Sequence, residues 1–521
     1  MITPVTQTVT TKPGLALWWV KRDARLADNA ILATAHASGL QLLPIFCLEP
    51  TVLAASDSSA MHSHAQWQAV KGLRHHLRKC QADIVIAHGE IVEKLAKLYA
   101  RVPFTHLFSH EETGNDLTYR RDRAVAAWCL QHGVVYREFP QSSVRRGGVN
   151  RDRLQQVWQT RIAEKPPLAV PPIHQSIQCQ QLAASTAFPG LPSFTANEQW
   201  QPVSEDDAAA TLTDFLNRRG RWYRGGISSP NTAFTAGSRL SVHLTWGTLT
   251  ARQVWHAVRD RLANLDPNDP HSARWRQSLS AFLSRLHWRD HFTQRLESEP
   301  ELEFRSIHPA YRDIPYQNDN SLFAAWREGH TGYPLVDAVM RCLAATGFVN
   351  FRMRAMVVSF ACHILHLDWR LIHPYLAGVF RDYDPGIHLN QLQMQAGVVG
   401  WNAIRVYNPA KQLAEWDAEG RFVRQWLPEL KQLSGEQIVR GESVANYPKP
   451  VVAFAERAKT MKDALYAIRK SAIAQGATPA VYNRHGSRKK EQSFRPKRQK
   501  PAQPPNQRTL FDDLGTVPPT A

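Results

Sequence analysis

Two carboxylates, a histidine and a row of amides stand close together in one hydrophobic stretch of the chain, residues 380–408. Asp382 and Asp384 are two residues apart, and His388 follows them. Buried polar side chains need hydrogen-bond partners, and an apolar segment rarely carries so many without a ligand. We therefore expect this stretch to face a polar ligand. Its amides are Asn390, Gln391, Gln393 and Gln395.

A basic and apolar segment, residues 350–354, precedes this stretch and carries Arg352 and Arg354. An arginine that faces an aspartate inside a pocket forms a charge-matched pair, often through two hydrogen bonds. The two segments together therefore predict one binding site.

The elements that must hold this site fall into two blocks. Apolar runs of strand type alternate with helical patterns in the first block, which predicts a doubly wound parallel α/β sheet in a domain of residues 1–140. No GxGxxG follows the first strand, so an ordinary dinucleotide fingerprint is absent. The predicted strands are 15–20, 42–48, 84–87, 105–109 and 134–139, and the predicted helices are 28–39 (started by Asp28), 64–80 and 117–132.

The rest of the chain has another pattern. Residues 141–200 are rich in Pro, Ser, Gln and Arg, which is typical of an interdomain connector. Over residues 201–470, apolar residues recur at helical spacing, which predicts an all-helical domain without strand pairs. We interpret residues 471–521 as a disordered basic tail, because residues 481–500 hold eight Lys or Arg and one Glu.

The charge and the cysteine content of the chain indicate which classes of partner and cofactor to expect. The chain of 521 residues has a formal net charge of +18, which favours DNA over a membrane surface because no long apolar run exists. A basic protein with no polyanionic partner is the alternative. The six cysteines form no CxxC pair, so no metal or iron–sulfur site is expected. Free thiols and the absence of a signal pattern indicate a cytoplasmic setting.

Six motifs in the second block together resemble the FAD-binding half of the photolyase/cryptochrome family. A further motif, GSRLSVHLTWGTLTARQ at residues 237–253, is similar to that family's flavin-phosphate loop. The order and spacing match over roughly residues 10–470. The resemblance implies FAD as cofactor. The six motifs are WREGHTGYPLVDAVMRCLAATG (326–347), NFRMR (350–354), LDWR (367–370), DYD (382–384), YNP (407–409) and RQWLPEL (424–430).

The resemblance assigns FAD contacts to two groups of residues. In the first, hydroxyl side chains and backbone N–H groups that open a helix suit a diphosphate; a plain helix N-cap at Ser238 or Ser241 is the alternative. Gly237 stands where many members carry Thr, which costs one hydroxyl contact. In the second, an Asp accepts from the ring imide N–H and Arg354 keeps that Asp ionised. The full set is Tyr223, Gly237, Ser238, Arg239, Leu240, Ser241, Phe282, Arg354, Asp382, Tyr383, Asp384 and His388.

His388 falls at the position that faces the flavin's central nitrogen in the family. Many photolyases carry Asn there, insect-type light sensors carry Cys, and plant sensors carry Asp. A histidine there would donate or accept a hydrogen bond, or supply a proton near neutral pH. A structural histidine without a chemical role is the alternative.

The lesion pocket that the resemblance implies is rebuilt in this chain. Arg285 stands where dimer photolyases use Glu to bind the damaged bases, whereas the Trp that stacks on the dimer is kept as Trp288. Phe351 and Ala355 replace Asn and Met, and Met394 replaces a pocket-wall Trp. A flipped base pair would still stack on Trp288, and Arg285 would donate to thymine carbonyls. The residues expected to contact DNA are Arg289, Phe351, Arg352 and Met394.

Photoreduction in the family uses three aromatic residues in series. The flavin-proximal position aligns with Leu392, the middle one with Trp369 and the distal one with Tyr316. An aliphatic side chain is not oxidised at accessible potentials. Either another aromatic residue, such as Trp401 or Tyr383, starts a different route, or photoreduction is slow; we expect the former.

Two short signals concern further partners. The family carries an antenna chromophore on its N-terminal domain, and residues 110–112, His-Glu-Glu, lie where an antenna contact would fall; we favour an exposed acidic loop instead. In the tail, residues 507–512 resemble the peptide by which bacterial DNA-repair proteins bind the sliding clamp, against the alternative of a tail without a role. The residues that carry this peptide are Gln507, Leu510 and Phe511.

These observations predict a monomeric, light-activated, FAD-dependent DNA photolyase. Such an enzyme is a carbon–carbon lyase that splits pyrimidine dimers by electron transfer from the excited reduced flavin. A cryptochrome-like blue-light sensor is the alternative, and the altered lesion pocket and Leu392 favour it. A photolyase for an unusual lesion or for single strands is a third interpretation.

Overall fold

The computed structural model describes residues 14–147, 151–185, 197–442 and 444–485. This part of the chain forms a parallel α/β unit followed by a helical unit, which confirms the predicted fold class. The predicted clamp peptide and most of the predicted basic tail lie outside the described residues.

A five-stranded parallel sheet forms the centre of the N-terminal unit, with the strand order β3-β2-β1-β4-β5. The run LALWWV is the central strand and is buried along its whole length, as expected when helices cover both faces of a parallel sheet. Leu17 is in register with Leu43 on one side and Leu107 on the other. The strands are β1 (Leu15–Val20), β2 (Gln41–Leu48), β3 (Val85–His88), β4 (His106–His110) and β5 (Val135–Phe139).

Three helices of this unit, α1, α3 and α5, are close to the predicted ones, whereas α2 and α4 were not predicted. Asn29, and not the expected Asp28, caps the first helix, because the Asn29 side chain accepts hydrogen bonds from two backbone N–H groups of that helix. The Asp28 carboxylate instead accepts from the Thr250 hydroxyl at 2.6 Å and pairs with Arg252, which joins the two units. The helices are α1 (Ala30–Ala37), α2 (Pro50–Leu53), α3 (Ala60–Lys79), α4 (Ile91–Arg101) and α5 (Asp116–Gln131).

The connector contains two helices that its weak periodicity did not reveal. They are α6 (Leu154–Trp158), which continues as a π-helical turn over Gln159–Ala163, and α7 (Ile177–Ser185). Trp158 packs against Trp255 and His287 of the helical unit, with ring centroids 5.7 and 4.0 Å away. The connector is therefore attached to the fold, although each helix is too short to give a clear periodic pattern.

Every element in residues 197–442 and 444–485 is helical. The long helix α13 packs against α18, and Gly386 permits this approach because a Cβ there would come within 2.6 Å of the Thr293 Cα. The helices are α8 (Glu205–Asp214), α9 (Tyr223–Gly226), α10 (Ala233–Ala236), α11 (Ser241–Trp246), α12 (Ala251–Ala263), α13 (Ser272–Ser298), α14 (Asn320–Glu328), α15 (Pro334–Thr346), α16 (Phe351–His363), α17 (Trp369–Val379), α18 (Pro385–Gln395), α19 (Pro409–Trp416), α20 (Arg421–Trp426), α21 (Gly435–Arg440), α22 (Phe454–Lys470) and α23 (Ala472–His485).

The helical unit extends past residue 470, where we expected the tail to begin. The His485 ring at the end of α23 stacks on Trp401, with centroids 6.3 Å apart. Arg295 donates to the His485 carbonyl at 2.9 Å and to Asn390 Oδ1 at 3.0 Å. One guanidinium therefore links α23 to α18. The sequence pattern missed α23 because few of its residues are buried and Pro479 lies inside it.

Candidate functional site

The predicted pairing of an arginine with the first aspartate is present. Arg354 on α16 places Nη1 3.0 Å from Asp382 Oδ1 and Nη2 3.1 Å from Oδ2. Burial alone would raise the pKa of Asp382, but the Arg354 guanidinium outweighs burial and lowers it. Asp382 is therefore an ionised acceptor with a fixed orientation.

The second aspartate has a different task. Asp384 caps α18, where its side chain accepts from the Ile387 N–H at 3.3 Å. Arg289 of α13 lies 3.4 Å from Asp384 and donates to the Leu244 carbonyl at 3.3 Å. The carboxylates of Asp384 and Asp290 hold the Arg289 guanidinium in the cleft between the two units. Its contact with DNA stays a prediction.

The predicted phosphate loop lies directly before α11. Arg219 donates to the carbonyl groups of Gly237 and Ser238, which fixes the backbone of the loop. Arg239 has φ +58° and stacks its guanidinium 3.7 Å from the Phe348 ring centroid. Its Nη1 is buried without a hydrogen-bond partner, and burial lowers the pKa of Arg239 to about 10. A buried cation with an unused donor fits an anionic ligand.

Three aromatic side chains, Phe215, Tyr223 and Phe282, pack in one cluster with Leu240 of the loop. Phe282 is buried and packs edge-on against Phe215 and Tyr223, with centroids 4.9 and 5.4 Å away. Arg285 hydrogen bonds the Tyr223 hydroxyl. Tyr223 therefore connects the loop region to the face of α13 that carries Arg285.

His388 lies on the first turn of α18 and is 9% exposed. Its Nε2 has no hydrogen-bond partner among the described residues. Burial, followed by the nearby groups His373 and Arg354, lowers the pKa of His388 well below its usual value. The neutral imidazole can donate or accept a hydrogen bond, and a role of His388 in proton supply stays a prediction.

The residue types and the unused atoms therefore fit the FAD that the sequence implied. Arg239 offers an unpaired donor for a phosphate, Asp382 offers a fixed acceptor for the imide, and His388 offers an unpaired ring nitrogen. Leu240 is buried next to Arg239, and Ser241 hydrogen bonds Asp382. The loop and the ring-side residues are thus in contact with each other.

Tyr383, between the two aspartates, points toward the N-terminal unit. Its hydroxyl donates to Asp57 Oδ2 at 2.7 Å, and its carbonyl accepts from Arg22 Nη1 at 3.2 Å. Its ring stacks on His62 at 5.7 Å and lies 5.2 Å from the His388 ring. The Tyr383 ring therefore packs against His388, and its hydroxyl bonds Asp57 and does not face the site.

The lesion-side residues lie on three neighbouring helices. Trp288 and Arg285 are one turn apart on α13, so their side chains leave the same face. Trp288 is half-buried and packs against His291 and Phe292, with centroids 5.1 and 5.6 Å away. The half-buried side chains of Phe351, on α16, and Met394, on α18, pack against the core of the helical unit.

The interpretation of Arg352 as a DNA contact needs correction. Its side chain is buried, with the guanidinium 4.2 Å from the Trp416 ring centroid and 3.5 Å from Gln412 Oε1. A cation covered by an indole ring stabilises the contact between α16 and α19 and is not presented to a phosphate backbone.

The residues at the three predicted relay positions lie in the helical unit. Leu392 is buried, and Trp369 is buried with its indole N–H donating to Ser306 Oγ at 3.2 Å. The Tyr316 hydroxyl is buried without a hydrogen-bond partner, and burial raises its pKa. Trp401, one of the suggested substitutes, lies against His485 and Arg295.

The expected exposed acidic loop at residues 110–112 is wrong. His110 is buried and hydrogen bonded to Asp23 at 2.7 Å. Glu112 is buried between Arg121, at 2.5 Å, and Arg22, at 3.4 Å. Buried carboxylates are retained where arginines compensate their charge, so this segment belongs to a buried ion-pair network of the N-terminal unit.

Several residues of the site could not be found from the sequence. Asp57, on the loop between α2 and α3, and His62 contact Tyr383 from more than 300 positions away in the chain. His373 of α17 lies 5.0 Å from His388. None of them stands in a motif, so only the packing of the two units reveals them.

Metal-binding clusters and membrane-spanning helices are both absent from the described residues. No group of three or more His, Cys, Asp or Glu side chains is arranged to hold a metal ion. In the same residues, no helix has the length and apolar character needed to span a bilayer.

Comparison with known proteins agrees with this geometry. Residues 16–155 match the family model described as DNA photolyase, and residues 282–467 match the FAD-binding domain of DNA photolyase. The deoxyribodipyrimidine photo-lyase of Synechococcus sp. is 28% identical over 88% of this chain and 98% of that protein. This chain belongs to the photolyase/cryptochrome family. Its cofactor is FAD, as the match to the FAD-binding domain indicates.

Members of the photolyase/cryptochrome family with different names are about equally similar to this chain. The chloroplastic/mitochondrial cryptochrome DASH of Solanum lycopersicum is 26% identical over 84% of this chain and 81% of that protein. A bacterial class III photolyase from Agrobacterium tumefaciens shares the fold, with a TM-score of 0.74 at 23% identity over 90% of this chain and all of that one. Similarity alone therefore does not separate repair from signalling.

Proposed function

We propose that this protein is a light-activated, FAD-dependent DNA lyase that splits pyrimidine dimers. The observation that carries the proposal is the common face of α13 formed by Trp288 and Arg285, next to Tyr223 of the FAD region. An indole face stacks on an extruded base, and a guanidinium donates to its carbonyl groups.

FAD, when bound in its reduced form, supplies the chemistry: light excites it, and it lends an electron to the dimer. The residues of the chain hold and orient it. Arg354 fixes the Asp382 carboxylate as the acceptor for the ring imide, and Arg239 provides the donor for a phosphate. His388 stays neutral because it is buried, so it offers a hydrogen bond without adding a charge.

The proposed lesion pocket carries Arg285 where dimer photolyases use a Glu to bind the damaged bases. Arg285 donates, so we expect it to contact the carbonyl oxygens of the damaged bases and not their N–H groups. Phe351 and Met394, both half-buried against the core of the helical unit, would add apolar surface. Binding therefore depends on stacking and on carbonyl contacts, which a dimer in a single strand offers at a lower unstacking cost than one in a duplex.

The experiment that tests the proposal uses chemically reduced, FAD-loaded protein and a UV-treated thymine oligonucleotide under blue light. Repair restores the absorbance of the pyrimidines. We expect recovery on single strands, and slower or no recovery on duplexes. No recovery on either substrate, with the cofactor bound and reduced, would overturn the proposal.

A light sensor without repair activity is the second candidate, and Leu392 favours it. The aliphatic side chain interrupts the usual route for photoreduction, and a sensor that cycles through another route would tolerate this change. Such a protein would fail the repair assay, yet it would show a light-dependent change in partner binding or in protease sensitivity.

We also propose that residues 507–512 bind the sliding clamp and that the protein acts as a cytoplasmic monomer. A pull-down of the clamp with the wild-type chain and with the double variant Leu510→Ala/Phe511→Ala tests the first point, with Gln507 as the remaining anchor. Equal recovery of the clamp would exclude this docking.

An antenna chromophore in the N-terminal unit remains a proposal, and extraction of the purified protein identifies any second chromophore.

A further inference from the structure

We propose that Tyr383 gives an electron to the light-excited oxidised flavin and that Asp57 takes the phenolic proton as it does so. The inference rests on the proposed function, because it concerns how the bound flavin becomes reduced. It assigns the first donor of a route that cannot begin at Leu392.

The position of Tyr383 is the first argument. It lies between Asp382 and Asp384, the two carboxylates of the site, and its side chain is 4% exposed. Its ring centroid is 5.2 Å from that of His388, whose unpaired nitrogen marks the site. One imidazole therefore separates the phenol from the site, a short path for an electron.

The proton is the second argument. A phenol that loses an electron becomes strongly acidic, and a positive charge left in a buried ring is costly. The Tyr383 hydroxyl donates to Asp57 Oδ2 at 2.7 Å, and Asn115 Nδ2 holds the same oxygen at 3.0 Å. Burial, and then the Asp57 charge, raise the pKa of Tyr383 well above its usual value, so the phenol carries its proton before oxidation.

Tyr383, Asp57 and an external thiolate account for every electron and proton of the step. One electron leaves the phenol, the O–H bond breaks, and the proton forms a new O–H bond on Asp57. The products on the chain are a neutral tyrosyl radical and a neutral carboxyl group. An external thiolate then returns one electron, becoming a thiyl radical, while Asp57 returns the proton to Tyr383.

The charge near Trp401, the other candidate electron donor, disfavours its oxidation. The Arg295 guanidinium lies 5.6 Å from the Trp401 ring centroid, where it opposes the positive charge that oxidation creates on an indole. Tyr383 has neutral rings on either side, since burial lowers the pKa of His62 to about 4 and lowers that of His388 well below its usual value. The structure therefore favours oxidation of Tyr383.

The test measures photoreduction and the radical, not repair. Full-length FAD-loaded protein is illuminated with a thiol donor, and the rate of flavin bleaching is divided by the FAD bound. We expect Tyr383→Phe to slow the rate about tenfold or more, and Asp57→Asn to slow it less. Tyr447→Phe is the matched control, because that hydroxyl also bonds a buried carboxylate, Asp337, and should not alter the rate.

Electron paramagnetic resonance on protein labelled with ring-deuterated tyrosine supplies the second readout. The label should narrow the radical signal in the wild type, and Tyr383→Phe should abolish that signal. An unchanged rate and signal in Tyr383→Phe would overturn the proposal, as would slow photoreduction in Trp401→Phe alone.

If Tyr383→Phe fails to bind FAD, Asp57→Asn decides the question through the solvent isotope effect. Deuterated water should slow the wild type and should no longer slow Asp57→Asn, whereas an equal effect in both would contradict the role of Asp57. Repair by chemically reduced wild-type protein is assayed separately. Its failure would refute the proposed function and leave the assignment of Tyr383 intact.

Discussion

Arg354 and Asp382 meet through two contacts of 3.0 and 3.1 Å, although one lies on α16 and the other in the turn before α18. The pair joins the start of α16 to the turn before α18, so it orders both sides of the FAD site at once. Removing one partner of a buried pair leaves the other charge uncompensated, at a cost of roughly 3–5 kcal/mol.

Arg354→Leu should therefore yield protein with much less bound FAD. Asp382 would remain as a buried carboxylate without its guanidinium, and the acceptor would lose its orientation. The ratio of flavin to protein absorbance after purification measures this. Arg341→Leu is the matched control, because it removes a comparable ion pair with Glu429 at 2.8 Å in the same unit. Equal FAD loss in both variants would mean that the effect is only destabilisation.

Trp288→Ala should weaken binding of a UV-damaged single strand by about 5- to 150-fold, since stacking of one base contributes roughly 1–3 kcal/mol. Trp288→Phe keeps an aromatic face and should recover most of the affinity. Fluorescence anisotropy with damaged and undamaged oligonucleotides measures the difference. If the damaged strand binds Trp288→Ala as tightly as wild type, Trp288 is not the stacking residue.

Stability should fall as the pH drops from about 6.5 toward 4, because several histidines are buried as neutral rings. Burial lowers the pKa of His363 to about 4, so in this window the unfolded chain binds a proton that the folded chain does not. His363→Gln should make the fall shallower by up to about 1.4 kcal/mol per pH unit.

Urea denaturation from pH 4 to 8 checks this prediction. Above pH 6.5 the two proteins should differ by a constant amount, which reflects the lost contacts of His363 with Ser359 and the Ala396 carbonyl. Parallel curves over the entire range would show that His363 is not the titrating group.

Truncation after His485 should reduce the salt dependence of DNA binding. Residues 486–500 contain seven Lys or Arg and one Glu, and each phosphate contact contributes about 0.7–0.9 to the slope of log affinity against log salt. The measurement is a salt titration of binding to undamaged DNA. An unchanged slope would show that the tail does not contact phosphates.

The parts that could be predicted from the sequence are local. The run Leu15–Val20 is apolar without alternation, as a strand buried on both faces must be. Arg354 and Asp382 were matched by charge, and the fold brings them together.

What the sequence missed depends on contacts between distant segments. The burial of Glu112 follows from Arg121 and Arg22, which reach it from two other elements. Arg352 is covered by Trp416, which lies on another helix and has no sequence relation to it. Charge in a sequence indicates that a partner is needed, and only the tertiary structure shows which residue provides it.

Tyr383 touches the N-terminal unit in three ways: its hydroxyl contacts Asp57, its carbonyl contacts Arg22, and its ring stacks on His62. A residue predicted to contact FAD is thus also a residue of the interface, so we expect FAD binding and the packing of the two units to be thermodynamically linked. Any molecule that tightens this interface must strengthen retention of the cofactor by the same factor by which the cofactor strengthens binding of that molecule.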